Sequence, residues 1–456
     1  MLNIVILAAG KGSRMHSSYP KVLHELAGVP LLGHAIAVAK SLVEKYGGRI
    51  RVVTGHGSDQ VDPLVAEYGA DVVHQHQQLG TGHALQIAME GLGSDGQTLV
   101  LYGDVPLITE TDIEPLISAG NTSLAVLTAT VSDPTGYGRI VRDPSGDVVA
   151  IVEDRDASES ERTICEINSG IYAAPTSLFQ ELLPLLTNVN SQNEYYLTDC
   201  VRLSVSSGRK VSGVEGAITA TMGVNDRSQL AELNQLLQKK RRDTLMTAGV
   251  TLIDPDTVHL NGTDIDIQPD TIIEPNVTLN SPVSIGSNVR IGFGSHLTDV
   301  VIGANTVIKP YSVVESATIG CDAQIGPFTR LRPGTELSDA THVGNFCETK
   351  NAKVGQGSKI NHLSYVGDAI LGQRVNVGAG TITCNYDGAY KHQTNLGNDV
   401  FIGSNTSLIA PVILGDGVTT GAGSVITNDV EPQNLALARS KQINIPGYQR
   451  PKKTKD

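Results

Sequence analysis

Two stretches of the chain carry residue types whose spacing could do chemistry. LAAGKGSRM (Leu7–Met15) sets Gly10 and Gly12 beside the cations Lys11 and Arg14, and PK at Pro20 and Lys21 adds a third positive charge. Glycines let a backbone approach a ligand closely, and consecutive N–H groups can cradle phosphate oxygens. An ordinary strand-to-helix turn would also carry two glycines, and the stretch has neither GxxxxGK[ST] nor a complete GxGxxG. Far downstream, Arg332, Lys350 and His362 recur at intervals of 18 and 12, both multiples of six. Two cations could hold an anion, and an imidazole can accept a proton near neutral pH. Most histidines are ordinary surface or core residues, and among the twelve present His362 stands out only by its neighbourhood.

The elements that must position these groups differ between the halves. In the first half NIVIL (Asn3–Leu7), RIRVVTG (Arg49–Gly55), TLVLYGD (Thr98–Asp104) and SLAVLTATV (Ser123–Val131) read as buried strands. Between them, PLLGHAIAVAKSLVEKY and TGHALQIAMEGL carry helical spacing. Strands alternating with helices imply a mostly parallel α/β sheet, in which ligands bind where strands end and loops lead into helices. In the second half aliphatic residues fall six apart: Ile273, Leu279, Ile285, Ile291, Leu297, then after a one-residue slip Ile302, Ile308, Val314, then Ile319, Ile325, Leu331, Leu337 and Val343. Later sets are Val354, Ile360, Val366; Leu371, Val377; and Leu396, Ile402, Leu408, Leu414, with Gly often following the marker. Period six suits short strands joined by tight corners, one aliphatic chain pointing inward per face, which is a parallel β-helix. If three hexads make a turn, Arg332, Lys350 and His362 face alike on neighbouring coils, although a register slip after Val343 intervenes. TCNYDGAYKHQTN (Thr383–Asn395) interrupts the column, and an insertion in a solenoid projects as a loop.

NDRSQLAELNQLLQKKRRDTLMTAG (Asn225–Gly249) reads as a helix joining the halves, with Lys239–Arg242 as its solvated face and nucleic-acid contact as a weaker reading. The expected domains are 1–226, a linker helix 227–249, and 250–456; the tail PKKTKD (Pro451–Asp456) is expected to be disordered. Lys+Arg 34 against Asp+Glu 47 leaves a net charge of −13, which argues against a nucleic-acid partner. No apolar run reaches the roughly 18 residues of a membrane span, and the amino terminus lacks a signal-peptide pattern. The five cysteines, Cys165, Cys200, Cys321, Cys347 and Cys384, are scattered without CxxC spacing, so a reducing, cytoplasmic setting is expected.

LAAGKGSRM followed by PK resembles the signature of the sugar-phosphate nucleotidylyltransferases, with Ser13 where that pattern has Thr. QLGTGHA (Gln78–Ala84), LYGDVPL (Leu101–Leu107), DPTGYGRI (Asp133–Ile140), EINSGIY (Glu166–Tyr172) and GVN (Gly223–Asn225) agree with it in order. With the hexapeptide half attached, the whole chain resembles the bifunctional bacterial family of N-acetylglucosamine-1-phosphate uridylyltransferase and glucosamine-1-phosphate acetyltransferase. That resemblance implies a Rossmann-like nucleotidylyltransferase domain, a linker helix and a left-handed parallel β-helix. It also implies an acetylation preceding uridylylation, with UDP-N-acetylglucosamine feeding cell-envelope synthesis.

Residue by residue, the resemblance implies that Leu7, Ala8, Ala9, Gly10, Arg14 and Lys21 line the uridine nucleotide, with Gln75, Gly80 and Thr81 at the base. Asp104 and Asn225 would bind Mg²⁺, with Tyr102 and Gly103 in the same pocket, and Gly138, Glu153 and Asn168 would hold the amino sugar. His362 would be the base that deprotonates the amine. Arg332, Lys350, Tyr365, Asn376 and Lys391 would hold glucosamine-1-phosphate, and Ala379, Asn385, Tyr386, Ser404, Ala422 and Arg439 would contact acetyl-CoA. Hexapeptide acyltransferases of this kind are homotrimers. Two other readings stand beside this one: a single-activity sugar-1-phosphate nucleotidylyltransferase, and a non-catalytic regulatory scaffold of the same two folds. His362, Lys350 and the NYDG loop favour the acetylating version over the first, and Asp104, Asn225, Lys21 and His362 together favour chemistry over the second.

Overall fold

The computed structural model describes residues 1–453; the last three residues of the tail, which also end the expected domain 250–456, lie outside the described residues. The chain divides into two compact units, Met1–Leu237 and Gln238–Asp456.

In the first unit the apolar run Leu2–Leu7 becomes β1, buried along its whole length. The sheet continues with β2 (Gly48–Thr54), β3 (Asp71–His74), β4 (Gln97–Tyr102), β5 (Leu124–Thr130), the hairpin β6 (Arg139–Arg142) and β7 (Val148–Val152), β8 (Glu166–Pro175) and β9 (Val211–Glu215). Its spatial order is β9-β5-β8-β4-β1-β2-β3. β1 lies parallel to both β2 and β4, and β9 parallel to β5. β8 runs antiparallel to β4 and β5, with a register shift between Asn168 and Tyr172. That antiparallel strand was not expected from a strictly alternating pattern. It carries EINSGIY across the sheet, so residues from its amino-terminal half reach the ends of the parallel strands. Helices Leu31–Tyr46 and Thr81–Met89 bury Leu32, Ile36, Ala39 and Leu85, Ala88 against the two faces of the sheet.

In the second unit the aliphatic markers stack in three columns. Ile273 pairs with Ile291, then Ile308, Ile325, Val343, Ile360 and Val377; Leu279 pairs with Leu297, then Val314, Leu331, Thr349 and Val366; Ile285 pairs with Ile302, Ile319, Leu337, Val354 and Leu371. Partners are seventeen or eighteen residues apart, one coil of a parallel β-helix, and all are buried. The slips have a local cause: shorter coils lose their residue at the corner between the second and third columns. Thr349 continues the column six residues after Val343, fully buried although polar, and bonds Thr335. No slip therefore separates Arg332 from Lys350. The insertion stretches the spacing between Leu371 and Leu396 to twenty-five residues, and an isolated bridge between Tyr386 and Lys391 closes it into a loop.

The helix Arg227–Thr247 crosses the division between units. Its first half buries Leu233 with Met15, Leu26 and Leu31. In the basic cluster on its second half Lys239 and Lys240 are exposed as expected, whereas the two arginines are not. Arg242 is buried and pairs with Asp256 at 2.8 Å, while Arg241 donates to the Leu260 carbonyl. Gln238 brackets Leu260, donating to its carbonyl at 3.0 Å and accepting from its N–H at 2.9 Å. The first coil of a solenoid has an open strand edge whose polar groups need partners, and these side chains supply them. The guanidinium groups are used within the fold, which leaves little for nucleic acid. Among the described residues no helix is long and apolar enough to cross a membrane, and all five cysteines are free.

Candidate functional site

The first cluster forms where β1 and β4 end. The Gly103 N–H donates to Leu7 and the Ala8 N–H to Val53, which fixes the two loops side by side. Gly10 faces open space, whereas Gly12 holds a left-handed conformation (φ 60°) in which a Cβ would lie 2.5 Å from that of Lys21. Lys21 can therefore fold back over the loop, and its ammonium pairs with the Asp104 carboxylate. Arg14 donates to Asn225 Oδ1 at 2.9 Å, and the Val224 N–H donates to the Asp104 carbonyl at 2.9 Å. Four residues separated by up to 211 positions thus converge, each oxygen meeting a cation.

Around this cluster the remaining residues fall into two groups. Gln75 is buried and donates to the Gly80 carbonyl at 3.1 Å; Gly80 (φ 110°) leaves no room for a side chain against Tyr195 and starts the helix whose Thr81 accepts from the Leu197 N–H. On the other side the Asn168 N–H donates to the Gly138 carbonyl at 2.8 Å, and a Cβ at Gly138 would sit 3.6 Å from both Glu153 Oε2 and Asn168 Cβ. Asn168 Oδ1 is held by the Tyr172 hydroxyl at 3.1 Å. Burial pushes the Glu153 carboxyl above its ordinary range, against a hydroxyl bond from Thr198. Burial also pushes the Tyr102 phenol well up, so it stays a neutral donor, wedged against Gly170. Thr198 was missed in the sequence because nothing in its spacing sets it apart.

On the second unit, Arg332 and Lys350 occupy equivalent positions on adjacent coils, following the paired Leu331 and Thr349. Lys391, from the inserted loop, reaches the same spot: its ammonium and the Arg332 guanidinium push the Lys350 pKa below the ordinary value. Glu348 pairs with Arg332 at 2.8 Å, and Tyr365 lies beside Glu348 in register with its hydroxyl over Gly367. Asp368 accepts from Asn351 at 2.7 Å and from Asn385, anchoring the loop. Within the loop, the N–H groups of Tyr390 and Ala389 and the His392 ring hold Asp387 well below the usual carboxylate range.

His362 does not face as Arg332 and Lys350 do. It sits two residues past the buried Ile360, at the corner that begins the face carrying Tyr365 and Lys350. Its Nδ1 lies 3.1 Å from Asn345 Oδ1 on the coil below. The same corner position is taken on higher coils by Ala379, Ser404 and Ala422, each bridged to the next by a backbone bond through Gly380, Asn405 or Gly423. Arg439 donates to the Ala422 carbonyl at 2.8 Å. Asn376 lies on the neighbouring face, paired with Lys359 and Phe401. One chain thus gathers a cation cluster on one face and a column of small residues above His362 at its edge, but leaves Asn376 around the corner.

A family model described as MobA-like NTP transferase domain matches residues 4–192, one described as GMPPB C-terminal domain matches 262–344, and one described as bacterial transferase hexapeptide (six repeats) matches 393–428. Across its full length the chain is 49% identical to "Bifunctional protein GlmU" of Acinetobacter baumannii (strain AYE), covering 99% of each. It is 50% identical to the protein of that name from Stutzerimonas stutzeri (strain A1501), again covering 99% of each. It is also 49% identical to that of Paraburkholderia phymatum, covering 100% of each. The chain belongs to the GlmU family. As a GlmU it is a bifunctional transferase, an N-acetylglucosamine-1-phosphate uridylyltransferase and a glucosamine-1-phosphate acetyltransferase. Its substrates are small molecules, and a match over both halves leaves the single-activity and scaffold readings without support.

Proposed function

We propose that the two clusters are the two reaction centres of this GlmU. In the first, Leu7–Gly10, Arg14 and Lys21 hold the UTP triphosphate, and Gln75, Gly80 and Thr81 hold the uracil. Gly138, Glu153, Asn168 and Tyr102 orient the sugar of N-acetylglucosamine-1-phosphate. The observation that carries this reading is the convergence of Lys21 with Asp104 and of Arg14 with Asn225. A phosphate oxygen of the sugar attacks the α-phosphorus of UTP, forming the new P–O bond as pyrophosphate leaves. Both reactants are anions, so neutralisation and alignment do most of the work, and no protein nucleophile is required.

A carboxylate and an amide oxygen suit Mg²⁺, which takes one or two protein oxygens and fills its shell with phosphates and water. Asp104 and Asn225 would hold it, and when bound it supplies charge neutralisation on the phosphates. Lys21 and Arg14, released from those oxygens, are placed to turn to the nucleotide.

In the second centre Arg332, Lys350 and Lys391 hold the phosphate of glucosamine-1-phosphate, with Tyr365 and Asn376 around the sugar. Three cations together, Arg332 paired to Glu348 and Lys350 under the influence of Asp368, favour an anionic ligand. His362 takes the proton from the amine nitrogen as it attacks the thioester carbonyl, and returns it to the departing sulfur of coenzyme A. Ala379, Ser404, Ala422, Arg439, Asn385 and Tyr386 line the acetyl-CoA path.

The working assembly is a homotrimer in the cytoplasm. It is supported by Asn376 lying on a different face from the cations, and by a ladder of the half-buried Phe293 and the exposed Tyr311, Phe328 and Phe346 with ring centroids 5.1 to 5.5 Å apart. Incubation with glucosamine-1-phosphate, acetyl-CoA, UTP and Mg²⁺, following free thiol and pyrophosphate separately, tests the whole reading. Both are expected, thiol first. Pyrophosphate without thiol would remove the acetyl centre.

A further inference from the structure

A histidine that is to accept a proton through one ring nitrogen must carry its own proton on the other. In the neutral ring one nitrogen is a donor and the other an acceptor, and the partner of one decides the state of both. Asn345 stands one coil below His362, in direct register with it. The two are held together twice. The Leu363 N–H donates to the Asn345 carbonyl at 3.2 Å, and Asn345 Oδ1 faces His362 Nδ1 at 3.1 Å. An amide oxygen can only accept, so the proton of the neutral ring is drawn to Nδ1 and the Nε2 lone pair is left for another proton. The partner is also uncharged. A carboxylate there would favour the imidazolium and hold the ring protonated to higher pH, whereas an amide orients it without that bias.

We propose that Asn345 is a positioning residue for acetyl transfer, fixing His362 with its proton on Nδ1 so that Nε2 faces the amine. The proposal rests on His362 being the base. The ionisable groups around the ring are few: Lys359 on its own strand, His342 on the strand below, and Glu348 and Tyr365 on the face that follows the corner. The coil above presents Ala379, which is neutral. Burial, with Lys359 and Lys309, lowers the His342 pKa. Asn345 is thus the one side chain among the described residues with a hydrogen bond to the His362 ring.

The test compares Asn345→Ala and Asn345→Asp in the full chain, with uridylyl transfer as the internal control. Removing the amide frees the ring to sample both tautomers without locking the wrong one. The kcat for acetyl transfer should therefore fall roughly ten- to a hundredfold, short of the ~10⁴-fold loss when a wrong tautomer is enforced, with KM for glucosamine-1-phosphate little changed. Asn345→Asp should move the acid limb of the pH–rate profile upward, by on the order of one pH unit or more, which a merely structural role would not do. Nitrogen-15 spectra of labelled imidazoles should show His362 protonated on Nδ1 in the parent and mixed in Asn345→Ala. A parent ring protonated on Nε2, or an Asn345→Asp profile superimposable on the parent, overturns the proposal. If His362→Ala retains parental acetyl transfer, the base assignment itself falls; if it is inactive while both Asn345 variants behave as parent, only the positioning role falls.

Discussion

The two units gather distant side chains in opposite ways, in the proposed reading each around a phosphate. In the first, the gathering is done by loops at the ends of parallel strands, and the groups that meet are already paired with one another: Lys21 with Asp104, Arg14 with Asn225. Each charge has a partner before any ligand arrives, so binding is an exchange of partners. In the second, the gathering is done mainly by coil register. Arg332 and Lys350 meet because one coil separates them, and a loop adds Lys391. There the ammonium of Lys391 and the guanidinium of Arg332 lower the pKa of Lys350, with the Asp368 carboxylate opposing them. A sheet-end site is thus assembled by topology, with Lys21 already on a carboxylate and Arg14 on an amide oxygen. A solenoid site is assembled by period and left charged.

That contrast can be broken at several points. The largest effect is expected from Asp104→Ala, which removes the carboxylate that pairs with Lys21. Pyrophosphate release should fall by about three orders of magnitude or more, as expected when several kcal/mol of charge stabilisation are lost, while thiol release is unchanged. His362→Ala should do the converse, lowering thiol release by about 10²–10⁴-fold and sparing uridylyl transfer from N-acetylglucosamine-1-phosphate.

A smaller effect is expected from Lys350→Ala. Losing one charge-assisted contact should raise KM for glucosamine-1-phosphate roughly ten- to a hundredfold with kcat nearly intact. Raising the salt concentration should imitate it, since this site is open to solvent. A kcat loss instead would mean that Lys350 touches the reacting atoms.

The smallest effect separates a buried carboxyl from an exposed charge. Burial raises the Glu153 pKa above its ordinary 4.5, so the folded state binds the proton more tightly than the unfolded chain. The stability it allows is full below the ordinary value and is lost as pH rises through the raised one. Denaturant midpoints of the first unit should therefore favour Glu153→Gln increasingly as pH climbs from 4.5 through that window, then level off. A gap independent of pH would mean that the carboxyl is solvated.

How much of this could be read from the sequence follows the same division. The solenoid was legible almost residue by residue, because a period of six survives its slips: Ile273 to Leu414 mark the buried columns, and the buried Thr349 and Thr383 stand where an aliphatic marker is missing. What escaped there were residues defined by the coil length, not by the hexad. Asn345 lies within HVGNFCETK, seventeen positions before His362, and counting in coils would have paired them. The facing of His362 was misjudged for the same reason, since twelve residues is two faces and not a coil. In the first unit four central strands, β1, β2, β4 and β5, were plain, but β3, the β6–β7 hairpin, β9 and the antiparallel β8 were not, and nothing local distinguishes a strand that enters the sheet from the other end. The linker's Arg241 and Arg242 looked solvated because charge runs usually are, and only the open edge of the first coil explains why these turn inward.

The central claim is that one chain houses two centres that fail separately, and mixing two crippled proteins tests it most directly. Asp104→Ala and His362→Ala are each given glucosamine-1-phosphate, acetyl-CoA, UTP and Mg²⁺, alone and together. Neither alone should make UDP-N-acetylglucosamine, and the mixture should, because the acetylated sugar phosphate made by the first diffuses to the second. A mixture that stays inactive, or a single substitution that silences both thiol and pyrophosphate release, would contradict it.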